Sequence, residues 1–238
     1  MINNSERLVV VTGGTKGIGK SIVHRFAAEG FRVATCARNE SDLTVLKEEI
    51  SKTHDQLIHT YAVDLSKREG QKDFIDFIGM IGQPVEILIN NTGTFIPGLV
   101  HEEDEGTLEK MMDTNLYSAY HVSRGIIPQM KQDRRGHIFN LCSVASLKAY
   151  PNGGSYSISK FALYGFSQAL REELREFEIR VTSILAGAVK TPSWDGVEIP
   201  DERFMKPEDI AETIYATYKL SERTVVEDIV LRPQLGDL

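Results

Sequence analysis

The chain has 238 residues, and 41% of them are hydrophobic, which is enough for a proper core in one or two domains. Its 34 acidic residues outnumber its 27 basic residues, and the resulting net charge of −7 argues against a general nucleic-acid binder. Two cysteines in apolar contexts, no signal-peptide pattern and no apolar stretch near the roughly 20 residues of a membrane span predict a cytoplasmic protein with no nucleic-acid or membrane partner.

Short β-branched segments alternate with longer amphipathic segments along the chain. The segments typical of strands are 7–12, 31–37, 57–63, 85–90, 137–142, 179–185 and 224–231. The segments typical of helices lie near 18–29, 40–52, 67–80, 104–131, 156–176 and 207–220. This alternation predicts right-handed crossovers and a doubly wound, seven-stranded parallel sheet with helices on both faces, which is an α/β Rossmann fold. Since no linker or repeat interrupts the pattern, residues 1–238 are predicted to form a single domain.

A glycine-rich segment, TGGTKGIG at 12–19, follows the first predicted strand. Glycine at this point permits a tight turn and lets the backbone approach a pyrophosphate, which the N-terminus of the next helix would bind. The spacing is G-x-x-x-G-x-G rather than the commoner G-x-G-x-x-G, and a glycine-rich turn without a ligand is the alternative. The predicted dinucleotide-binding residues of this turn are Gly13, Thr15, Lys16, Gly17, Ile18 and Gly19.

The second predicted strand indicates which dinucleotide is bound. It ends in Arg38 rather than in the acidic residue that would accept hydrogen bonds from the ribose of NAD. Together with Lys16, it would supply two cations near the ribose 2′ position, where an arginine fork and a lysine point charge suit a phosphate. The sequence therefore predicts NADP(H) rather than NAD(H), with two ordinary surface cations as the alternative.

Two further strand ends carry predicted cofactor contacts. Asp64, at the end of the third strand, is positioned to accept the adenine amino group, and Leu65 follows it. After the fourth strand, Asn91 and Gly93 belong to NNTG, whose small residues would let the adenosine half lie close to the sheet.

Tyr156 and Lys160 stand four residues apart at the start of a predicted helix, after a Pro-Asn-Gly-Gly turn. Residues at this spacing share one helix face. A lysine ammonium beside a phenol favours the phenolate and lowers the phenol pKa from its free value of about 10. The pair therefore predicts a tyrosine proton donor. The alternative is a packed tyrosine beside a solvated lysine.

These motifs, in this order, resemble those of the short-chain dehydrogenase/reductase family over almost the whole chain. The segment 12–19 matches the family's glycine motif, and 90–93 matches its NNAG motif with Thr92 in place of alanine. The segment AGAVKT at 186–191 matches a PG-x-x-x-T motif, but Ala186 stands where proline is usual. The C-terminal part resembles bacterial sepiapterin reductase-like members of the family.

The resemblance also completes a catalytic set. Asn115 matches the family's helix asparagine, and Ser143 lies thirteen residues before Tyr156, the usual spacing. Tyr156 would then donate a proton to a substrate carbonyl as hydride leaves the nicotinamide, while Lys160 would lower the tyrosine pKa and bind the nicotinamide ribose. Ser143 would hydrogen-bond the same carbonyl oxygen, and Asn115 would hold a water that continues the proton relay.

The family further implies that the Val189 backbone and the Thr191 side chain bind the nicotinamide carboxamide. No metal is predicted to take part. A non-catalytic NADP(H)-binding sensor is a remote alternative, because such a protein would be expected to lose Tyr156 or Lys160, and both are present.

The substrate pocket is predicted from apolar and aromatic side chains near these motifs. The predicted substrate contacts are Phe95, Leu147, Tyr150 and Trp194. The segment 191–207, which contains three prolines, reads as a substrate loop that closes over the pocket. In an alternative reading, Trp194 is a core residue of the folded loop.

Three substrate classes remain open: a small ketone or diketone, a sepiapterin-like pterin, and a 3-oxoacyl-[acyl-carrier-protein]. The preferred prediction is an NADPH-dependent carbonyl reductase acting on a small ketone or diketone, including a sepiapterin-like pterin on which Trp194 stacks and with which Asp237 pairs. The main alternative is a 3-oxoacyl-[acyl-carrier-protein] reductase, whose acidic partner would need a basic patch near the cleft. The candidates for that patch are Lys131, Arg134 and Arg135.

A homodimer or homotetramer is predicted from two of the helices. Family members pair the helices that correspond to 104–131 and 156–176 across a two-fold axis. Leu163, Phe166 and Leu170 in the second of these segments look like exposed apolar positions that such pairing would cover.

Overall fold

The computed structural model describes residues 4–54 and 57–238 of the chain. Its strands are β1 (Leu8–Thr12), β2 (Arg32–Ala37), β3 (His59–Ala62), β4 (Val85–Asn90), β5 (Gly136–Ser143), β6 (Ile179–Ala186) and β7 (Asp228–Leu231). Its helices are α1 (Gly17–Ala28), α2 (Glu40–His54), α3 (Arg68–Ile81), α4 (Thr107–Met112), α5 (Ser118–Asp133), α6 (Gly154–Leu174) and α7 (Pro207–Tyr218). In the described residues, every helix is either too short or too polar to traverse a lipid bilayer.

The seven strands form one parallel sheet in the order β3-β2-β1-β4-β5-β6-β7. The chain runs outward from β1 to β3, returns past β1 to β4, and then runs outward to β7. The order reverses between β1 and β4, and at such a point the loops after the two strands diverge and leave a crevice. The predicted α/β Rossmann fold with seven parallel strands is confirmed.

Both faces of the sheet are buried, and β1 shows how the sequence achieves this. Its alternate residues Val9 and Val11 pack with α1 and α7 in one core cluster, whereas Leu8 and Val10 pack with α3, α5 and α6 in the other. All five residues of β1 are buried, which is the pattern of a central strand in a sheet covered on both sides.

The predicted helix at 104–131 is interrupted in the structure. Helix α4 ends at Met112, a single π turn spans Asp113–Tyr117, and α5 begins at Ser118. The cause is tertiary, because Asn115 inside the turn bonds the backbone of a distant loop rather than fitting a regular helix. Such π turns are frequent at functional sites.

Two other predictions need correction. Strand β7 begins at Asp228 rather than at residue 224, because its backbone pairing with β6 starts only at Ser183. Before that point, the Val226 carbonyl oxygen accepts a hydrogen bond from the Thr182 hydroxyl. Leu163 and Leu170 are not exposed but belong to the core, where they are 2% and 6% exposed. The exposed apolar residues of α6 are instead Ile158 and Phe161.

Candidate active site

The glycine-rich turn after β1 is shaped so that only glycine fits at its key positions. Gly13 and Gly17 have φ of +69° and +51°, in the left-handed region that glycine tolerates. A Cβ on Gly19 would lie 2.3 Å from the Gly13 carbonyl oxygen, and one on Gly17 would lie 2.8 Å from Thr191 Cγ2. The turn therefore leaves its backbone bare at the start of α1, and it already contacts the predicted carboxamide-binding residue Thr191.

Asn91 braces this turn from the neighbouring strand end. Its Nδ2 donates to the carbonyl oxygens of Thr12 and Gly13, at 2.9 and 3.0 Å, directly after β4. The Thr12 hydroxyl in turn accepts from the backbone N–H groups of Asn91 and Thr92. Within the turn, Ile18 packs against the core, and Thr15 is partly buried. The predicted residues of the glycine motif and of NNTG thus form one hydrogen-bonded unit.

The predicted adenosine-binding residues lie at the ends of β2 and β3. Burial opposes ionisation of Asp64, but hydrogen bonds from Ser66 and the positive charges of Arg38 and Lys67 bring its pKa below the usual value. Asp64 Oδ1 accepts from the Ser66 backbone N–H at 2.9 Å, and Leu65 is buried beside it. The Lys16 ammonium lies 3.0 Å from the Asp42 carboxylate of α2. Arg38 therefore lies near Asp64 of the predicted adenosine site, and Lys16 already has Asp42 as an acidic partner.

Tyr156 and Lys160 lie on one face of α6, as their spacing predicts. The Lys160 ammonium is 5.8 Å from the centroid of the Tyr156 ring and donates to the Leu141 carbonyl oxygen at 2.7 Å. Burial raises the pKa of the Tyr156 phenol, and a hydrogen bond with the Ser143 side chain opposes that rise. Burial also lowers the pKa of Lys160. Burial thus shifts the Tyr156 pKa upward, in the direction opposite to the lowering that the sequence predicts.

Ser143 ends β5 and begins the short 3₁₀ turn at Val144–Ser146. Its hydroxyl accepts from the Ala145 backbone N–H at 3.1 Å, while Ser146 Oγ accepts from the Ser143 backbone N–H, so the two serines cap the turn reciprocally. Ser146 Oγ also donates to the Lys160 carbonyl oxygen at 2.8 Å. This contact joins the end of β5 to the first turns of α6 and fixes Ser143 relative to Tyr156.

Asn115 is fully buried in the π turn and is held on both sides of its amide. Its Oδ1 accepts from the Thr94 backbone N–H at 2.7 Å, and its Nδ2 donates to the Thr94 carbonyl oxygen and to Ser159 Oγ. A Cβ on Gly93 would lie 3.3 Å from Asn115 Oδ1 and 3.6 Å from the Lys160 ammonium. Asn115, Gly93 and Lys160 are thus brought together, although they are far apart in the chain.

Of the four predicted substrate residues, Phe95 and Tyr150 interact with Tyr156, whereas Leu147 and Trp194 have other surroundings. The Phe95 ring meets the Tyr156 ring edge to face, with 4.9 Å between their centroids. Burial raises the pKa of Tyr150 to about 12, and Tyr156 adds to that rise. Leu147 is exposed just after the 3₁₀ turn, and Trp194 packs against Phe204 at 5.1 Å.

The segment 191–207 is closed at its base by backbone contacts. The Lys190 N–H donates to the Met205 carbonyl oxygen, and the Met205 N–H donates to the Ala188 carbonyl oxygen. Val189 is buried at this base, two residues before Thr191. The predicted carboxamide-binding residues therefore stand at the fixed end of the segment.

Glu103 is a site residue that sequence reasoning missed. Its carboxylate accepts from the Ser155 backbone N–H at 2.8 Å and from the Ser155 hydroxyl, and so caps the N-terminus of α6 one residue before Tyr156. A Cβ on Gly98 would lie 2.7 Å from Glu103 Cγ, and one on Gly154 would lie 1.9 Å from Glu103 Oε1. The only sequence signal was an acidic run that reads as a solvated surface, so pairing with α6 was not predictable.

The basic residues suggested for a carrier-protein patch lie at the wrong end of the sheet. Arg135 directly precedes β5, whereas Ser143 ends it, and the predicted catalytic residues lie beyond that carboxyl end. Arg135 pairs with Glu86 at 2.7 Å, and Arg134 pairs with Glu178 at 2.7 Å. The Lys131 ammonium lies over the Phe177 ring. These cations do not border the cleft.

The chain is similar to known proteins over nearly its whole length. Residues 7–200 match the family model described as short chain dehydrogenase. A sepiapterin reductase from Chlorobaculum tepidum is 30% identical over 243 residues, which cover 98% of each chain. An uncharacterized oxidoreductase from Staphylococcus saprophyticus is 28% identical and covers 98% of this chain and 100% of its own.

Solved structures show the same fold. An alcohol dehydrogenase from the archaeon Thermococcus sibiricus, complexed with 5-hydroxy-NADP, has a TM-score of 0.90 and 24% identity over 98% of both chains. A metagenomic short-chain oxidoreductase in complex with NADP has a TM-score of 0.85 and 26% identity, and covers 99% of this chain and 100% of its own.

Proposed function

The chain belongs to the short-chain dehydrogenase family and is an oxidoreductase acting on CH–OH and C=O groups, and we propose that it is an NADPH-dependent carbonyl reductase of small ketones or diketones. The observation that carries this proposal is the convergence of Tyr156, Ser143, Lys160 and Asn115 beyond the carboxyl ends of β4 and β5. Four side chains from three separate segments, the end of β5, the π turn and α6, thus meet in an arrangement suited to carbonyl reduction.

The residues present fit a dinucleotide. The glycines of the turn carry no side chains that would cover its backbone, and backbone N–H groups at the start of α1 favour a pyrophosphate. Asp64 would hold the adenine, Lys160 would hold the nicotinamide ribose, and Val189 with Thr191 would hold the carboxamide. When bound, the cofactor supplies the hydride, and the protein supplies orientation and protons.

Tyr156 is the proposed proton donor. Because burial keeps its pKa high, the phenol is protonated at neutral pH and can give its proton to a carbonyl oxygen. Ser143, already hydrogen-bonded to Tyr156, would donate to the same oxygen and stabilise the charge that develops there. Lys160 and Asn115 would restore the proton, with Asn115 holding the relay in register through its bond to Ser159.

NADP(H) is the proposed dinucleotide because Lys16 and Arg38 flank the 2′ position and no acidic residue ends β2. The metagenomic relative in complex with NADP, at 26% identity, supports this choice. A two-cation site of this kind is expected to favour the 2′-phosphorylated form through charge-assisted hydrogen bonds.

A small carbonyl compound is the proposed substrate class. The Phe95 ring packs against the Tyr156 ring, and Tyr150 acts electrostatically on Tyr156, so aromatic side chains surround the proposed proton donor. The sepiapterin reductase relative, at 30% identity over the full chain, supports a pterin side-chain carbonyl as one member of the class. Asp237, suggested as a pterin anchor, lies near Gly187 but pairs with Arg232, so a pterin would have to compete for it.

The test is NADPH oxidation against sepiapterin, diacetyl, an aromatic 1,2-diketone and an acetoacetyl thioester. The proposal expects turnover of sepiapterin and the diketones and little turnover of the thioester, since Lys131, Arg134 and Arg135 lie at the other end of the sheet. A strong preference for the thioester would move the assignment to acyl-carrier reduction. An Asp237→Asn variant with an unchanged KM for sepiapterin would remove the pterin-anchor role.

A further inference from the structure

Lys16 and Lys20 each pair with a carboxylate of α2, and the Lys16 pair lies at the predicted 2′-phosphate site. Lys16, at the N-cap of α1, lies 3.0 Å from Asp42 in the first turn of α2, and Asn39 Nδ2 donates to the same Asp42 oxygen at 3.4 Å. The second pair, Lys20 with Glu49 at 2.6 Å, lies further along both helices. The first pair therefore puts an acidic side chain on one of the two cations that would bind the phosphate.

Asp42 is ionised in this arrangement. The hydrogen bonds from Lys16 and Asn39 bring the pKa of its carboxyl below the usual value. The Lys16 side chain is 58% exposed and that of Asp42 30% exposed, and ion pairs in such exposed positions are weak. A phosphate dianion could therefore displace Asp42 from Lys16. The displaced carboxylate would stay on its helix as a negative charge close to the phosphate.

We propose that Asp42 limits how strongly this protein prefers NADPH over NADH. The inference rests on the proposed NADP(H) function and adds a residue that determines specificity. Asp42 competes with the 2′-phosphate for Lys16 and repels it once bound. A ribose 2′-hydroxyl carries no charge and can donate to a carboxylate, so NADH does not meet the same opposition.

The test is the dissociation constant of NADPH and of NADH, each measured by fluorescence titration, for the unaltered chain and for Asp42→Asn. Asparagine keeps the shape of the side chain and an oxygen acceptor for Lys16 but removes the charge. The NADPH dissociation constant is expected to fall about three- to tenfold, which is the effect of a surface charge pair plus one like-charge repulsion. The NADH constant is expected to stay the same or to rise.

Glu49→Gln is the matched control. It removes a carboxylate from the second ion pair between the same two helices, outside the turn that follows β1. Neither dissociation constant is expected to change by more than about twofold. The gain in NADPH affinity from Asp42→Asn should also shrink as salt is raised, because exposed charges are screened.

The test distinguishes failure of the Asp42 inference from failure of the proposed cofactor. If the unaltered chain binds NADPH but Asp42→Asn leaves its dissociation constant unchanged, or changes those of NADPH and NADH equally, the inference is wrong and the proposed function stands. If the unaltered chain binds NADH and not NADPH, the proposed cofactor is wrong, and Asp42 is then better explained as a ribose ligand.

Discussion

Burial decides the protonation of Tyr156, the residue on which the proposed chemistry depends. Its phenol pKa lies above the ordinary value of about 10, so the protonated form persists to higher pH than in a free phenol. Carbonyl reduction needs that protonated form. We therefore expect kcat/KM for NADPH-dependent reduction to stay level through neutral pH and to fall only when alkaline pH removes the phenolic proton.

Oxidation of the product alcohol needs the phenolate, so its kcat/KM should rise with pH where reduction falls. Both profiles come from initial rates measured in overlapping buffers. A reduction rate that fell between about pH 6 and pH 8 would contradict the account, because an ordinary histidine and not a buried phenol titrates there.

Sequence spacing predicted that Tyr156 and Lys160 share a helix face, because 3.6 residues per turn fix that relation locally. It did not predict that Lys160 would donate to the Leu141 carbonyl oxygen, or that burial would raise the pKa of Tyr156. Those contacts depend on β5 packing under α6, which no local pattern encodes. The hydrogen bonds between Asn115 and Thr94 were likewise not predictable from local spacing.

Helix α6 carries Tyr156 in its first turn, and Glu103 caps that turn from another loop. We expect Glu103→Ala to lower the free energy of unfolding by about 1–3 kcal/mol, because it leaves the Ser155 N–H without its acceptor. Its kcat should fall more than its KM changes, since Tyr156 loses its fixed position. Urea unfolding and steady-state kinetics measure the two effects.

Glu103→Gln separates position from charge, because its amide oxygen can still accept from the Ser155 N–H. It should recover most of the stability and kcat. Glu102→Ala, an exposed acidic neighbour, is the matched control and should change neither. Equal losses in the Glu103→Ala and Glu102→Ala variants would contradict a capping role for Glu103.

A second prediction about local elements concerns the glycine turn between β1 and α1. In Gly19→Ala, the new methyl group would meet the Gly13 carbonyl oxygen at 2.3 Å and the Asn91 amide at 2.5 Å. NADPH affinity should therefore fall at least about tenfold, a cost of about 1.4 kcal/mol. Fluorescence titration of NADPH measures it.

Gly79→Ala is the control for that substitution, because Gly79 lies in α3 with open space around its Cβ position. It should leave NADPH binding unchanged and stabilise the fold by up to about 1 kcal/mol. NADPH binding retained by Gly19→Ala at full affinity would mean that the turn does not hold the dinucleotide.

The elements themselves were largely predictable from periodicity, and the exceptions have tertiary causes. The π turn at Asp113–Tyr117 exists because Asn115 bonds a loop more than twenty residues away, at a sequence separation of 21. Strand β7 begins late because the Val226 carbonyl oxygen accepts from the Thr182 side chain instead of from the backbone of β6. Neither partner lies within the window that a hydrophobic pattern covers.

For the whole molecule, exposed apolar residues cluster around the start of α6. Leu99, Val100, Ile158 and Phe161 are exposed and border a cavity of about 410 Å³. We propose that this surface is covered in a homodimer or homotetramer, since clustered apolar area of this kind marks interfaces.

Sedimentation velocity should then give a multiple of the 26.6 kDa chain mass, and Phe161→Glu should lower it. Lys219→Glu, a change at an exposed position directly after α7 and away from this surface, should not lower that mass. A mass of 26.6 kDa at every concentration would rule out the assembly.

The central claim is that Tyr156 donates the proton in an NADPH-dependent reduction, and Tyr156→Phe tests it most directly. The phenyl ring keeps the edge-to-face contact with Phe95 but has no proton to give. The account predicts that the substituted protein binds NADPH as before and loses about 10²–10⁴ in kcat on the best substrate of the carbonyl panel. A variant that kept near-normal kcat on that substrate would contradict it.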